Sequence, residues 1–460
     1  MMTRRRFLSH SCSLGIASAT VTSTMLSLGM ARTAAAQSAP GYRALVCVLL
    51  AGGNDSYNML VPTDNDQFAE YNSIRADLAL PQSELLALPG TTGNGRSYGL
   101  HPGMSELQSL FANGDAAMIA NVGTLLEAYD AQAVENGTAK LPLGLFSHSD
   151  QIAQWQTAVP NGRVAQGWGG RIADLMQTAN LQNGVSMNIS LSGSNVFQSG
   201  NEVGEYSIDA TGDGAPGLNA YADGTEFGEF KKRMVDDLLA VQQQHILRRE
   251  YSRRLRAAID AQAVFVDAMQ TSPTLNTDFS PGYFSQSMRQ IARVVGARDA
   301  LGATRQTFFV TVGGWDHHDD VLENQANMLP AISKGLQEFR NALVELGVFD
   351  EVTTFTTSDF GRTLTSNGKG SDHGWGGHHI VMGGSVNGAS IYGDYPILSA
   401  SSPLDTGRGV YAPTTSVDEY FAELARWFGV PPSELDQVLP NVRNFYSPES
   451  NQAPLGFLSV

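Results

Sequence analysis

The 460-residue chain predicts an α/β fold built on a parallel central sheet. Three observations lead there. Arg43–Leu50 (RALVCVLL) is an unbroken run rich in Val and Leu, the pattern of a strand buried on both faces. Phe308–Val312 and Val352–Thr357 are further apolar runs, and all three stop at polar turns that carry Gly and Asp. Between the last two lies the helical pattern Val321–Leu346, so strand, helix and strand follow in the order of a parallel crossover unit. That order places Asp316 and Asp359 at one edge of one sheet.

The first 36 residues stand apart from this fold. Thr3-Arg4-Arg5-Arg6-Phe7-Leu8 has a twin-arginine pattern, Leu14–Met30 is mildly apolar, and Ala34-Ala35-Ala36 offers small residues for cleavage. The chain is therefore expected to use the twin-arginine export machinery and to work as a periplasmic or secreted protein. Ser and Thr interrupt the apolar run, which falls short of a membrane span, so no stable membrane insertion is expected. Arg4, Arg5, Arg6 and Arg32 lie in this segment with no acid. Its removal leaves 25 basic against 45 acidic residues, a balance of −20. Such a charge disfavours nucleic acid as a partner. Cys12 leaves with the segment, so Cys47 alone remains, and neither an internal disulfide nor a zinc-cysteine site is available.

Residues 37–460 read as a single domain. Arg43–Leu50 ends in Ala51-Gly52-Gly53-Asn54-Asp55-Ser56. Ligands in open α/β sheets collect at strand carboxyl ends, so Asp55 is a candidate ligand there, as well as an ordinary turn or cap residue. Helices are expected over Asp66–Arg75 and Gly103–Asn113, and a buried strand over Ala116–Val122. In Ser147-His148-Ser149-Asp150, which opens a helical pattern, a serine is a candidate N-cap; a hydroxyl at a helix N-terminus is also where a nucleophile facing an anion belongs. A helix over Gly167–Met176 and a strand over Gly184–Leu191 precede a loop-rich insertion near 192–228. Glu229–Gln270 reads as one long helix that includes His245. Its arginines, from Arg248 to Arg256, suit a solvated face paired with nearby acids. Tyr283–Ala300 and Ser416–Phe428 complete the helices, and Ile380–Gly384 is a short extended run.

Five of the nine histidines fall between His317 and His379. The clusters are Gly313-Gly314-Trp315-Asp316-His317-His318, Ser358-Asp359-Phe360-Gly361-Arg362-Thr363 and Asp372-His373-Gly374-Trp375-Gly376-Gly377-His378-His379. Carboxylates and imidazoles meeting at strand ends suit Zn²⁺ or another transition metal. Asp316 and His318, two apart in an extended segment, point to the same side. Arg362 offers a fork of donors matched to a tetrahedral anion. The same groups can instead bond one another and hold the glycine-rich loops in place.

Taken with Gly52-Gly53-Asn54-Asp55 and Ser147-His148, these blocks resemble those of the DUF1501 family of exported bacterial proteins over nearly the whole chain after the signal. That family is similar to the alkaline phosphatase and sulfatase superfamily. The resemblance implies an α/β/α sandwich and metal-dependent hydrolysis of phosphate or sulfate esters, on a small or polymer-linked anionic substrate. Carried over residue by residue, it makes Asp55, Asp316, His318, Asp359 and His373 or His378 the metal ligands, with one or two divalent ions. It makes Ser147 the nucleophile, unless water attacks directly, with His148 and Arg362 beside it. Phe360 departs from the superfamily, which places a histidine there. The alternative reading is a non-catalytic periplasmic binding or scaffold protein on the same fold.

Overall fold

A computed structural model describes residues 41–459, apart from 90–94, 181–183, 213, 242–243 and 400. The expected signal segment, 1–36, lies outside the described residues. Strand β1 (Arg43–Leu50) is followed by β2 (Leu60–Pro62), β3 (Leu86–Ala87) and β4 (Tyr98–Leu100), which form a small sheet of their own. Next come β5 (Ala116–Gly123), β6 (Asn188–Ser190), β7 (Tyr206–Ser207), β8 (Arg305–Val312) and β9 (Val352–Ser358). β10 (Arg362–Ser366) and β11 (Ser371–His373) make a separate hairpin; β12 (Gly377–Met382), β13 (Ile391–Tyr392) and β14 (Thr415–Ser416) close the series. The main sheet has nine strands in the order β13-β5-β12-β9-β1-β8-β6-β7, with β14 also on β5. β12 runs antiparallel to both its neighbours and every other pairing is parallel, as expected of an α/β fold with a mostly parallel sheet.

The alternation of β1 shows why its sequence is apolar throughout. Ala44, Val46, Val48 and Leu50 enter one core, with helices Ser105–Ala112, Tyr283–Gly296 and Val321–Glu345; Leu45, Cys47 and Leu49 enter the other, with Trp168–Leu175 and Val417–Phe428. A strand whose two faces are both covered has no polar side to show. The last of these helices starts at a capping box, Ser416 with Glu419, which satisfies the first free N–H groups.

β8 and β9 are not neighbours: β1 lies between them, paired in parallel with each. The turns after all three strands therefore meet at one edge.

Two expected elements differ. The pattern Glu229–Gln270 is two helices, Glu226–Ala240 and Ile246–Met269, because Val241 turns to an extended backbone. His245 is then not inside a helix but caps the second, its Nδ1 accepting from the Leu247 N–H at 3.2 Å. The strand expected over Gly184–Leu191 contracts to β6, which pairs with β8 only through Thr307–Phe309. As expected of a solvated face, Arg253 and Arg254 pair with Glu250, and Arg256 with Asp236. Among the described residues no helix is long and apolar enough to cross a membrane.

Candidate metal centre

The junction of β1, β8 and β9 is held by backbone N–H groups, packed so closely that position 52 has no room for a side chain. Gly52 donates its N–H to Asp359 Oδ1 at 3.0 Å, Trp315 N–H donates to Ala51 O at 3.1 Å, and Asn54 N–H donates to Ser358 Oγ at 2.8 Å. Gly52 has φ +121, and a Cβ there would stand 2.5 Å from the Asp316 nitrogen. Gly52→Ala is therefore expected to cost roughly 1–3 kcal/mol from backbone strain alone, with the clash added, measured by urea denaturation.

Asp316 leaves this junction with its side chain about half exposed, and three imidazoles face it. His318 Nε2 is 3.1 Å and His373 Nε2 3.5 Å from its Oδ1, and His148 Nε2 is 3.5 Å from its Oδ2. His318 and His373 bring their Nε2 atoms within 3.0 Å of each other. Each ring is held by its other nitrogen: His148 Nδ1 lies 2.7 Å from Asp359 Oδ2, His318 Nδ1 3.3 Å from Asp372 Oδ1, and His373 Nδ1 2.8 Å from the Phe146 carbonyl. All three partners are acceptors, so the tautomers assigned from them carry the proton on Nδ1. In the neutral rings every Nε2 is then an acceptor, and that of His318 lies 3.5 Å from Arg362 Nη1.

Three Nε2 acceptors and a carboxylate gathered this closely repel one another unless cations join them, and Arg362 supplies one at Asp316 and His318. Ligands about 2.1 Å from one tetrahedral ion stand roughly 3.4 Å apart, close to the spacings found here. The residues fit a divalent transition metal, and outer acceptors on the far nitrogens are the usual companions of metal-bound histidines. One ligand atom each of His148, Asp316 and His373 lies within 4.8 Å of the others, and His318 Nε2 stands beside two of these residues, Asp316 and His373.

Electrostatics support the charge this requires. Partial burial by itself would push the Asp316 carboxyl up, but Arg362, His318 and His148 together hold it below its ordinary value. Burial lowers His373 below the usual imidazole range, which favours the neutral, ligating form. Asn367, Arg408 and His318 hold Asp372 below its ordinary value against partial burial.

The sequence candidates separate into two sets. Asp316, His318 and His373 come together as ligand candidates. His148, expected to act beside a serine, stands instead at a ligand position. Asp359 is buried and orients His148 from behind. Asp55 turns away: its Oδ2 meets Arg75 and accepts from Ser371 Oγ at 2.6 Å, with both partners of the ion pair fully buried. His378 is buried too, accepting from the Asn121 N–H at 3.0 Å and stacked on Tyr395, and burial pushes it down to about 3. Ser147 sits at the N-cap position of the helix His148–Thr157 without capping it; its hydroxyl lies 3.2 Å from Ser149 Oγ and bonds Asp150.

Arg362 has no fork to spare. It is fully buried, and it donates to Gly53 O at 2.9 Å, Ser371 O at 2.9 Å, Trp315 O at 3.4 Å, Gly52 O and Asp316, with its Nη1 3.5 Å from His318 Nε2. Its role is to brace the Gly52-Gly53 turn against Asp316. Phe360, where a histidine was expected, packs its ring 4.9 Å from His148 and 4.5 Å from His373. It backs two ligand candidates in place of being one. Sequence reasoning missed Asp372 and the Phe146 carbonyl; Asp372, beside His373, was in view, whereas a carbonyl leaves no mark in sequence.

The centre opens on a cavity of about 630 Å³ whose walls include Phe146, His318, Thr363, Asp372, His373 and Arg408.

The fold and this cluster define an α/β protein with a candidate metal centre at the carboxyl ends of its central strands. The chain belongs to the family described as "Protein of unknown function (DUF1501)", which matches residues 42–437. No curated protein matches it in sequence. Among solved structures it is similar to the C-terminal periplasmic domain of EcEptC from Escherichia coli, at 10% identity and a TM-score of 0.36, over 91% of this chain and 93% of that one. It is similar also to the PsFucS1 sulfatase from Pseudoalteromonas sp., at 8% identity and a TM-score of 0.35, over 94% and 76%. A mutant of the alkaline phosphatase PafA matches at 12% identity and a TM-score of 0.27, over 71% and 64%. These likenesses are weak, and the functional reading stands on the side chains above.

Proposed function

We propose that the chain is an exported metal-dependent hydrolase of phosphate or sulfate esters. His148, Asp316, His318 and His373 would hold one divalent ion, zinc or another transition metal. The observation that carries this reading is the set of three Nε2 atoms gathered at one carboxylate while every Nδ1 faces an acceptor. A bound ion would supply Lewis acidity towards an ester oxygen and lower the pKa of water. Asp359, Asp372 and the Phe146 carbonyl keep the protons on the outer nitrogens, and Phe360 shields the backs of His148 and His373 from water. With Ser147 turned to Ser149 and Asp150, water is the nucleophile this reading favours.

Metal analysis after zinc-replete expression is expected to give about one ion per chain, the complement of one four-donor site. Asp359→Asn, which removes the outer carboxylate behind His148, is expected to weaken zinc binding about 10–100-fold. Less than about 0.2 ion per wild-type chain, far below a single filled site, sinks the reading. A second reading, a non-catalytic binding protein, is favoured by the saturation of Arg362 and the engagement of Ser147 with Ser149 and Asp150. Screening of aryl phosphates, phosphodiesters and aryl sulfates separates the two: metal-loaded but inert protein supports the second.

A further inference from the structure

One guanidinium beside the centre is held where its backbone is disfavoured. Asp405–Val410 makes a tight loop in which Gly407, Arg408 and Gly409 have φ values of +118°, +58° and +71°. Glycine adopts such angles freely, whereas arginine pays a steric penalty for them. The loop is nevertheless fixed. The Asp405 carboxylate accepts from the N–H groups of Gly407 at 2.8 Å and Gly409 at 3.0 Å, Leu364 N–H donates to Gly409 O at 2.8 Å, and Thr365 Oγ1 donates to Arg408 O.

The Arg408 side chain is 72% exposed and is the one Lys or Arg among the described residues lining the cavity. One Nη2 bond ties it to Asp372, the acceptor behind His318; its remaining donors make no other hydrogen bond among the described residues. An exposed ion pair stabilises a fold little, so the pair does not account for a strained arginine. Strain of this kind gathers where a side chain must be aimed.

We propose that Arg408 is the anion-recognition residue of this cavity and that its free donors take the oxygens of a tetrahedral oxyanion, phosphate or sulfate. This is the task expected of Arg362, which is buried and already engaged. A guanidinium fork matches two such oxygens at once. The cavity is larger than one oxyanion, and the half-exposed Phe146 ring on its wall suits the remainder of an ester. The inference rests on the hydrolase reading only for the chemistry after binding, and the binding itself is measurable without turnover.

The test is calorimetric titration of inorganic phosphate and sulfate into zinc-treated full-length protein, with Arg408→Asn and Arg408→Lys compared. Asn tolerates the left-handed backbone and removes the guanidinium. Arg408→Asn is expected to weaken oxyanion binding at least about 10-fold, the low end for charge-assisted hydrogen bonds. Its Tm is expected to equal or exceed that of the wild type, with metal content unchanged. Arg408→Lys should recover part of the affinity. An arginine that serves only the fold gives the reverse, a lower Tm with unchanged oxyanion affinity, and that result overturns the proposal. Absence of binding by the wild type at about 10 mM, beyond the ordinary weak range, overturns it also. If the protein takes up no metal yet binds phosphate through Arg408, this proposal stands and the hydrolase reading falls.

Discussion

Asp316→Asn is expected to abolish metal retention and turnover while leaving the fold in place. Asp316 is the group on which all three Nε2 atoms converge, and its charge is what balances a divalent ion among neutral imidazoles. Loss of an outer partner costs about 10–100-fold in metal affinity, so loss of this inner group should exceed about 100-fold. Asparagine is preferred to alanine because its amide oxygen can still accept from Arg362, whose guanidinium is fully buried. Alanine would strand that charge and add a stability cost unrelated to the metal. Equilibrium dialysis against zinc, with a urea curve on the same sample, checks both halves. Zinc affinity equal to the wild type in Asp316→Asn would remove the centre from the mechanism.

Asp55→Ala is expected to behave in the opposite way, unfolding the protein more readily while sparing the centre. Asp55 and Arg75 form an ion pair with neither side chain exposed, and Arg75 is further tied to Asn58 Oδ1 at 2.9 Å and Thr363 O at 3.0 Å. Removing one partner leaves a buried guanidinium without its counter-charge, a loss of about 3–5 kcal/mol. The double change Asp55→Ala with Arg75→Met should recover part of that loss, because the stranded charge goes with it. Zinc content per folded chain should not change in either variant. If Asp55 were a ligand, metal would be lost in both.

The structure sets these two aspartates apart, one among the clustered imidazoles and one in a buried ion pair. β1, β8 and β9 were legible because strands buried on both faces need apolar runs. The meeting of Asp316, His318 and His373 was legible because polar clusters that follow strands of one sheet collect at its edge. The same rule pointed to Asp55, whose carboxylate meets Arg75 on the helix Asn65–Arg75, a contact no local pattern contains. Arg362 and His378 are likewise engaged elsewhere. Their residue types suit a site, but burial committed the first to backbone carbonyls and placed the second against Tyr395 and Asn121. The place of β1 between β8 and β9 was also hidden, since pairing between strands far apart in sequence depends on the whole chain. The Glu226–Ala240 and Ile246–Met269 helices read as one because both keep a helical spacing of apolar residues and only Val241 breaks the backbone.

That central position of β1 bears on how the molecule is made. Its two partner strands are synthesised about 260 and 300 residues after it. At ordinary rates of elongation β1 therefore waits roughly 15–60 s before its second neighbour exists. During that time an apolar segment with unpaired edges is open to association with other chains. Contacts so distant along the chain also close slowly by topology alone. The strand first to emerge from the ribosome is thus among the last to be shielded, and a chaperone that holds residues 43–50 would act on the slowest step in building the sheet.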